Sequence, residues 1–219
     1  MIEDGPTENR FRHVRDLMVQ DQIAARGVRD PRVLAAMAAV PRDLFVPPDA
    51  RDRAYEDRAL AIDEQQTISQ PYIVALMTEA LQVRPHDNTL EVGTGSGYQA
   101  AILSQLTDSL HTIERLETLA EGAERRLKAL GVTGIHFHLG DGSLGWPDAA
   151  PYDRIIVTAA APAVPQALVS QLNESGLLVI PIGGPSQQTL TVVHKQGGRS
   201  TERTLIACRF VKLFGRDAW

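Results

Sequence analysis

Glu91-Val92-Gly93-Thr94-Gly95-Ser96-Gly97-Tyr98 is the stretch on which the fold turns. A short apolar strand over 89–92 runs into three glycines at alternate positions. A helix carrying Ala100, Ala101, Leu103 and Leu106 follows. Glycine permits positive φ and removes the Cβ that would hold a bound molecule away from the backbone. Strand, glycine turn and helix in that order predict the opening unit of a parallel α/β sheet.

Downstream the same alternation continues. A second strand is expected over 110–114. Leu116, Leu119, Ala120, Ala123, Leu127 and Leu130 then recur on one helical face, closed by Gly131. Further strands are expected over 135–139, 154–158 and 177–182, with a helix over 164–172. Segments 189–194 and 205–213 complete the sheet as an antiparallel pair around Gly197-Gly198. Upstream, a helix over 11–26 is ended by Gly27. Asp30-Pro31 opens a second helix as N-cap and first helical residue, and Val40-Pro41 closes it. Pro71 begins a third, with Ile73, Val74, Met77 and Leu81 as its buried side. The reading is α/β: a doubly wound, mostly parallel, seven-stranded, Rossmann-like sheet. One domain is expected over 1–219, with a flexible tail over 1–10, a helical part with a loop over 11–84, and the α/β core over 85–219.

The 219 residues are 43% apolar and 22% charged, ordinary for a globular chain. A net charge of −5 supplies no global basic field for a nucleic-acid backbone, so no nucleic-acid partner is expected. The single cysteine, Cys208, forms no intrachain disulfide and reads as a small buried hydrophobe. No apolar run has the length of a membrane span, and the first residues lack the apolar core of a signal peptide. A cytoplasmic monomer without membrane attachment is expected.

Ligands of such sheets bind beyond the carboxyl ends of the strands, where strand order reverses. The spacing here is G-x-G-x-G, with Tyr98 where a dinucleotide fingerprint wants glycine or alanine. S-adenosylmethionine has no phosphate. It needs a close glycine turn, an acid for its ribose, and polar partners for adenine and the amino-acid end. Gly93, Thr94, Gly95, Ser96 and Gly97 supply the turn. Glu114, ending the second strand, is placed to accept from both ribose hydroxyls. Asp141-Gly142 follows the third strand and suits the adenine amino group, and Glu91 could meet the cofactor's ammonium group. Thr158, followed by Ala159-Ala160-Ala161-Pro162, suits the floor of a cleft. Each feature alone is as ordinary as a tight turn or a solvated strand end. Together, at the ends of successive strands, they argue for the cofactor. His136 and His138 share a strand face but read as ordinary strand histidines, and no metal site is expected.

Several segments are more specific: Val40-Pro41-Arg42 with Phe45-Val46-Pro47, Ala54-Tyr55-Glu56-Asp57, Thr67-Ile68-Ser69-Gln70-Pro71, residues 90–98, Gly140-Asp141-Gly142, residues 152–162, and Arg209-Phe210-Val211. In these, over roughly 16–213, the chain resembles the protein-L-isoaspartate O-methyltransferase family. The resemblance implies methyl transfer from S-adenosylmethionine, leaving S-adenosylhomocysteine, to the free α-carboxylate of L-isoaspartyl residues in damaged proteins or peptides. The ester then closes to a succinimide, whose hydrolysis returns some aspartate. It further implies that Ser69 is the active-site residue and that Thr67-Ile68-Ser69 closes over both substrates. Ser69, Gln70, Arg209, Phe210 and Val211 would hold the isoaspartyl group. Ser69 lies in no G-x-S-x-G elbow, so an orienting donor suits it better than a nucleophile; its structural alternative is the N-cap before Pro71. The family's Gly-x-Gly before Gln-Thr-Ile-Ser is replaced by Asp63-Glu64-Gln65, and Lys212 stands where proline is usual. A different loop path or a shifted acceptor preference is therefore open. So are a methyltransferase with a small-molecule or RNA acceptor and a cofactor-binding protein without turnover.

Overall fold

The computed structural model describes residues 6–219, with side-chain surroundings from residue 9 onward. The chain runs α1 (Pro6–Leu17), α2 (Pro31–Ala39), β1 (Leu60–Ala61), β2 (Thr67–Ile68), α3 (Pro71–Leu81), β3 (Asn88–Val92) and α4 (Tyr98–Leu103). It continues through β4 (Ser109–Glu114), α5 (Glu117–Ala129), β5 (Ile135–Leu139), β6 (Tyr152–Val157), α6 (Gln166–Ser170), β7 (Leu172–Gly183), β8 (Gln188–Gln196) and β9 (Arg199–Cys208).

Seven strands form one sheet in the order β5-β4-β3-β6-β7-β8-β9, and β1 and β2 pair separately. β5, β4, β3, β6 and β7 are parallel neighbours, while β7, β8 and β9 make an antiparallel meander. From β3 the chain winds outward to β4 and β5, then returns to β6 on the other flank. The switch point thus lies at the carboxyl end of β3, where the glycine turn begins.

β3 is buried on both faces from Thr89 to Val92 and β6 from Arg154 to Val157, as expected of central parallel strands. Leu90, Val92, Ile155, Val157, Leu178 and Ile180 pack into one core with Leu168 of α6. Ile156, Val179, Leu190 and Val192 face the other core, which contains Met37 of α2, Val74 and Met77 of α3, and Ile102 of α4.

The expected architecture is present, with corrections at its edges. The first helix starts at Pro6 rather than at residue 11, so residues 6–10 of the expected tail are helical, and 1–5 lie outside the described residues. It continues as a π-helical segment, Met18–Ile23, and a short 3-10 turn that Gly27 ends at φ 100°. The last strand is Arg199–Cys208, not 205–213. Its register is set by backbone pairing to β8, and most of its side chains are exposed, so hydrophobicity does not mark it. The apolar residues beyond it serve a different contact: Ala160 N donates to Val211 O at 2.8 Å and Leu213 N to Ala160 O at 2.7 Å. Arg209-Phe210-Val211 therefore lies past the strand, crossing toward the end of β6.

Asp30 caps α2 as expected, accepting from Arg32 N at 2.9 Å. Its own amide donates to Glu79 Oε1 at 2.7 Å, which ties α2 to α3. Asp30→Ala is expected to cost about 1 kcal/mol through the lost cap. Urea unfolding should show a lower midpoint with an unchanged slope.

Candidate functional site

The glycine turn is built from three positive-φ positions, Gly93 (97°), Gly95 (53°) and Gly97 (86°). At Gly93 a Cβ would collide with Thr158 Oγ1. That hydroxyl donates to Gly93 O at 2.7 Å and Val92 O at 3.1 Å, sealing the ends of β3 and β6. At Gly97 a Cβ would press on Leu127 and Ala123 of α5 at 3.1 and 3.2 Å. One glycine thus admits a side chain of the neighbouring strand, and another admits a helix.

Glu114, at the end of β4, is nearly buried and held from three sides. Its Oε2 accepts from Gly95 N at 3.0 Å, and its Oε1 accepts from Arg115 N at 2.8 Å and Leu116 N at 3.1 Å. A carboxylate fixed by backbone amides is preorganised for a ligand's hydroxyls and retains acceptor capacity for them.

A partly open cavity lies beyond these strand ends. Gly93, Thr94, Gly95, Ser96, Glu114, Gly142 and Thr158 line it, and Thr67, Ser69 and Val211 reach it from loops distant in sequence. The N-cap of α3 is Gln70, whose side chain makes no capping bond. Ser69 is therefore not the cap, and it faces the cavity instead. Sequence reasoning did not single out Met77, Gln99, Leu116 or Phe214 as site residues, although all four line the same space. Leu116 carried a signal, two residues past Glu114, the acid expected to meet a ribose. Phe214 carried none, because it arrives only through the crossing of 211–213 to Ala160.

Other expected residues are placed elsewhere. Glu91 is completely buried and outside the lining. Its Oε2 accepts from Thr112 Oγ1 at 2.5 Å, and Thr112 in turn shares a 2.6 Å hydrogen bond with the lining residue Thr94. Its Oε1 has no partner among the described residues, and burial pushes its pKa up to about 8. Glu91 reaches the cavity only through the two threonines, because β3 alternation points its side chain to the sheet face it shares with Thr112 of β4.

Asp141 is also turned away. Partial burial favours its neutral form, but amides of Arg216 and Ser143 and the Ser143 hydroxyl outweigh this and hold its pKa below the usual range. Ser143 N and Oγ donate to its Oδ1 at 2.9 and 2.7 Å, and Arg216 N donates to its Oδ2 at 2.8 Å. Its work is to anchor the segment after Phe214. Gln70 donates to Asp57 Oδ1 at 2.8 Å. Phe210 N donates to Gln188 Oε1 at 2.9 Å. Neither these two residues nor Arg209 line the cavity, and Gly97 lies behind it.

The loop before Ser69 keeps a glycine-type path without glycine. Glu64 and Gln65 stand at φ 56° and 57°, a conformation that costs a non-glycine residue about 1–2 kcal/mol. The path continues through Gln66 N to Asp63 O at 3.1 Å and Ile62 N to Gln66 O at 2.9 Å. Glu64 and Gln65 thus hold the left-handed conformation that glycine adopts without strain.

His111 Nδ1 and His138 Nε2 lie 3.0 Å apart and the rings of His111, His136 and His138 stack. Burial lowers the His111 pKa to about 4.

Comparison with known proteins bears on this site. The sequence model of the family described as Protein-L-isoaspartate(D-aspartate) O-methyltransferase (PCMT) matches residues 13–218. Protein-L-isoaspartate O-methyltransferase 2 of Pelobacter propionicus is 51% identical over 218 residues, covering 98% of this chain and 96% of that protein. A protein-L-isoaspartate O-methyltransferase of Roseiflexus is 53% identical over 211 residues, covering 96% of this chain and 94% of that one. Among solved structures, a protein-L-isoaspartate O-methyltransferase superposes with a TM-score of 0.82 at 27% identity, over 94% of this chain and 67% of that one. A Plasmodium falciparum beta-aspartate methyltransferase in complex with S-adenosyl-L-homocysteine gives a TM-score of 0.79 at 23% identity, over 91% of this chain and 98% of that one, a likeness of fold.

Two outcomes are expected. Glu114→Gln should weaken S-adenosylhomocysteine binding about 10- to 100-fold by calorimetry, the worth of a charge-assisted hydrogen bond. Glu91 is neutral in the fold well above the pH at which it ionises in the unfolded chain, so its contribution is complete below its ordinary value of 4.5 and is lost as pH rises toward about 8. Glu91→Gln should thus gain melting temperature over the native protein at pH 8 relative to pH 5. Parallel pH profiles would show that Glu91 is not the titrating group.

Proposed function

The chain belongs to the protein-L-isoaspartate(D-aspartate) O-methyltransferase family, and from that premise we propose how its residues methylate L-isoaspartyl carboxylates for protein repair. S-adenosylmethionine is the cofactor, and it supplies an electrophilic methyl group with a good leaving group. Its fit to the chain rests on the cavity's own chemistry: a glycine turn without Cβ atoms and an amide-fixed carboxylate at Glu114 that open on one space.

Backbone of Gly93, Gly95 and Ser96 receives the cofactor's amino-acid end, with Thr94 and Thr158 shaping that wall. Glu114 accepts from the ribose hydroxyls. With the Asp141 carboxylate engaged by Ser143 and Arg216, adenine is received by Gly142 and Leu116. Glu91, through Thr112 and Thr94, supports the wall from behind.

The acceptor needs little acid–base help. A carboxylate is ionised at neutral pH and already nucleophilic, so alignment and exclusion of water carry the rate. Ile68, Val74, Met77 and Tyr98 give the cavity an apolar side. Ser69 orients the acceptor carboxylate by donating its hydroxyl. Thr67 and Ser69 close the cavity over both substrates, and Val211 contacts the isoaspartyl backbone. Arg209, Phe210 and Gln70 act farther out, along the peptide, or through the loops they belong to. The acceptor is an isoaspartyl protein or peptide rather than a nucleic acid, and the active unit is a monomer. Among the described residues no helix is long and apolar enough to cross a membrane.

The observation that carries this reading is that Ser69, the glycine turn and Glu114 open on one cavity. The test offers methyl-labelled S-adenosylmethionine with paired peptides differing only by isoaspartate or aspartate at one site. Base-labile label on the isoaspartyl peptide alone is expected, and equal labelling of both, or none, would sink the assignment. Ser69→Ala should lower kcat about 10- to 100-fold, the scale of one lost hydrogen bond to a charged group, with S-adenosylhomocysteine affinity nearly unchanged. An equal loss in cofactor binding would assign Ser69 a structural role.

A further inference from the structure

Arg42 is fully buried, with 0% of its surface exposed, in the short turn Arg42–Phe45 that follows α2. Its Nε donates to Ala54 O at 2.7 Å and its Nη2 donates to Ser69 O at 2.7 Å. Its Cζ lies 4.8 Å from the centre of the Tyr98 ring. Nη1 has no hydrogen-bond partner among the described residues. The adjacent carboxylate offers no compensation, because Asp43 accepts from Arg51 Nη2 at 2.8 Å and Tyr55 Oη at 2.7 Å.

An interior cation without a carboxylate partner is among the most costly groups a fold can carry. Clamping two carbonyls requires donors, not charge, so the clamp alone does not account for an arginine here. Its location supplies the missing reason. Ser69 and Tyr98 both line the cavity, and Arg42 stands directly behind both. The acceptor, on the reading given above, is an anion, and the loop that leads to Ser69 carries the exposed acids Asp63 and Glu64. Solvent screens those exposed charges, whereas a buried cation acts through low-dielectric protein.

We propose that Arg42 is a positioning residue for the methyl acceptor: its buried charge draws the isoaspartyl carboxylate to Ser69 while its Nη2 fixes the Ser69 backbone. The proposal rests on the acceptor being a carboxylate. It gives the Val40-Pro41-Arg42 segment, far from Ser69 in sequence, a task in substrate selection.

The test compares the native chain with Arg42→Gln and Arg42→Lys. Each is first checked for its melting temperature and S-adenosylhomocysteine affinity. Acceptor binding is then read as the KM of an isoaspartyl peptide and the Ki of the same peptide with that α-carboxylate replaced by a primary amide. In Arg42→Gln the KM should rise about tenfold, the effect of one partly desolvated charge pair, while the Ki of the neutral peptide and cofactor affinity stay within about twofold. Arg42→Lys, which keeps the charge but not the two-armed clamp, should retain the preference for acid over amide and lose kcat. Equal weakening of acid and amide peptides would overturn the proposal and leave a loop clamp. If Arg42→Gln does not fold, Arg42→Lys decides: a lost acid preference overturns the proposal. Absence of isoaspartyl methylation by the native chain removes the acceptor assignment and this proposal with it, whereas failure of the preference alone leaves that assignment standing.

Discussion

The hydrogen bonds from the Thr158 hydroxyl to the carbonyls of Gly93 and Val92 close the end of the sheet on which the rest of the site is hung. They require that Gly93 carry no side chain, since a Cβ would occupy the hydroxyl's place. On the opposite flank, Glu114 takes the Gly95 amide. The turn after β3 is thus pinned to β6 by one side chain and to β4 by another. A flexible glycine segment becomes a rigid wall before a ligand arrives.

Around this wall the fold keeps two ionisable groups of opposite sign in its interior. Burial neutralises Glu91, and a carboxyl can accept that by holding its proton. A guanidinium cannot make the same accommodation, so Arg42 stays charged although burial lowers its pKa. This asymmetry explains why the first group serves as a hydrogen-bonded prop behind Thr94, while the second projects a field toward Ser69. Farther out, Asp63 and Glu64 add negative charge on a loop whose left-handed residues are not glycine. Mobility that glycine would allow there is traded for side chains at the rim.

Much of this was legible in the sequence wherever a local rule and the tertiary demand coincide. β5 falls over 135–139 as expected, α2 starts at its Asp-Pro cap, and α5 follows its apolar face to the Gly131 turn. β3, β4 and β6 were found through their apolar residues, Leu90 and Val92, Leu110 and Ile113, and Ile155 to Val157. β9 was misplaced for the converse reason: its exposed side chains carry no pattern, and its pairing with β8 is a backbone matter. At the site, Glu114, Thr158, Ser69 and residues 93–96 of the glycine turn line one cavity. Asp141 and Glu91 do not, since no spacing rule states which neighbour captures a carboxylate: the Arg216 amide takes the first, and strand alternation buries the second. Arg42 was visible only as part of a motif, because its partners, at residues 54, 69 and 98, meet it only in three dimensions.

The cavity walls come from positions as far apart as Gln66 and Phe214, and that separation couples occupancy to the integrity of the whole molecule. No contiguous fragment of the sheet assembles both sides of the pocket. Ligand therefore binds only the completed fold, and saturation at about 100 times the dissociation constant would add about 2.7 kcal/mol to the unfolding free energy. In a cell, the supply of the methyl donor would set how long each copy survives thermal unfolding and proteolysis. A repair protein of this design is least durable when it has nothing with which to repair.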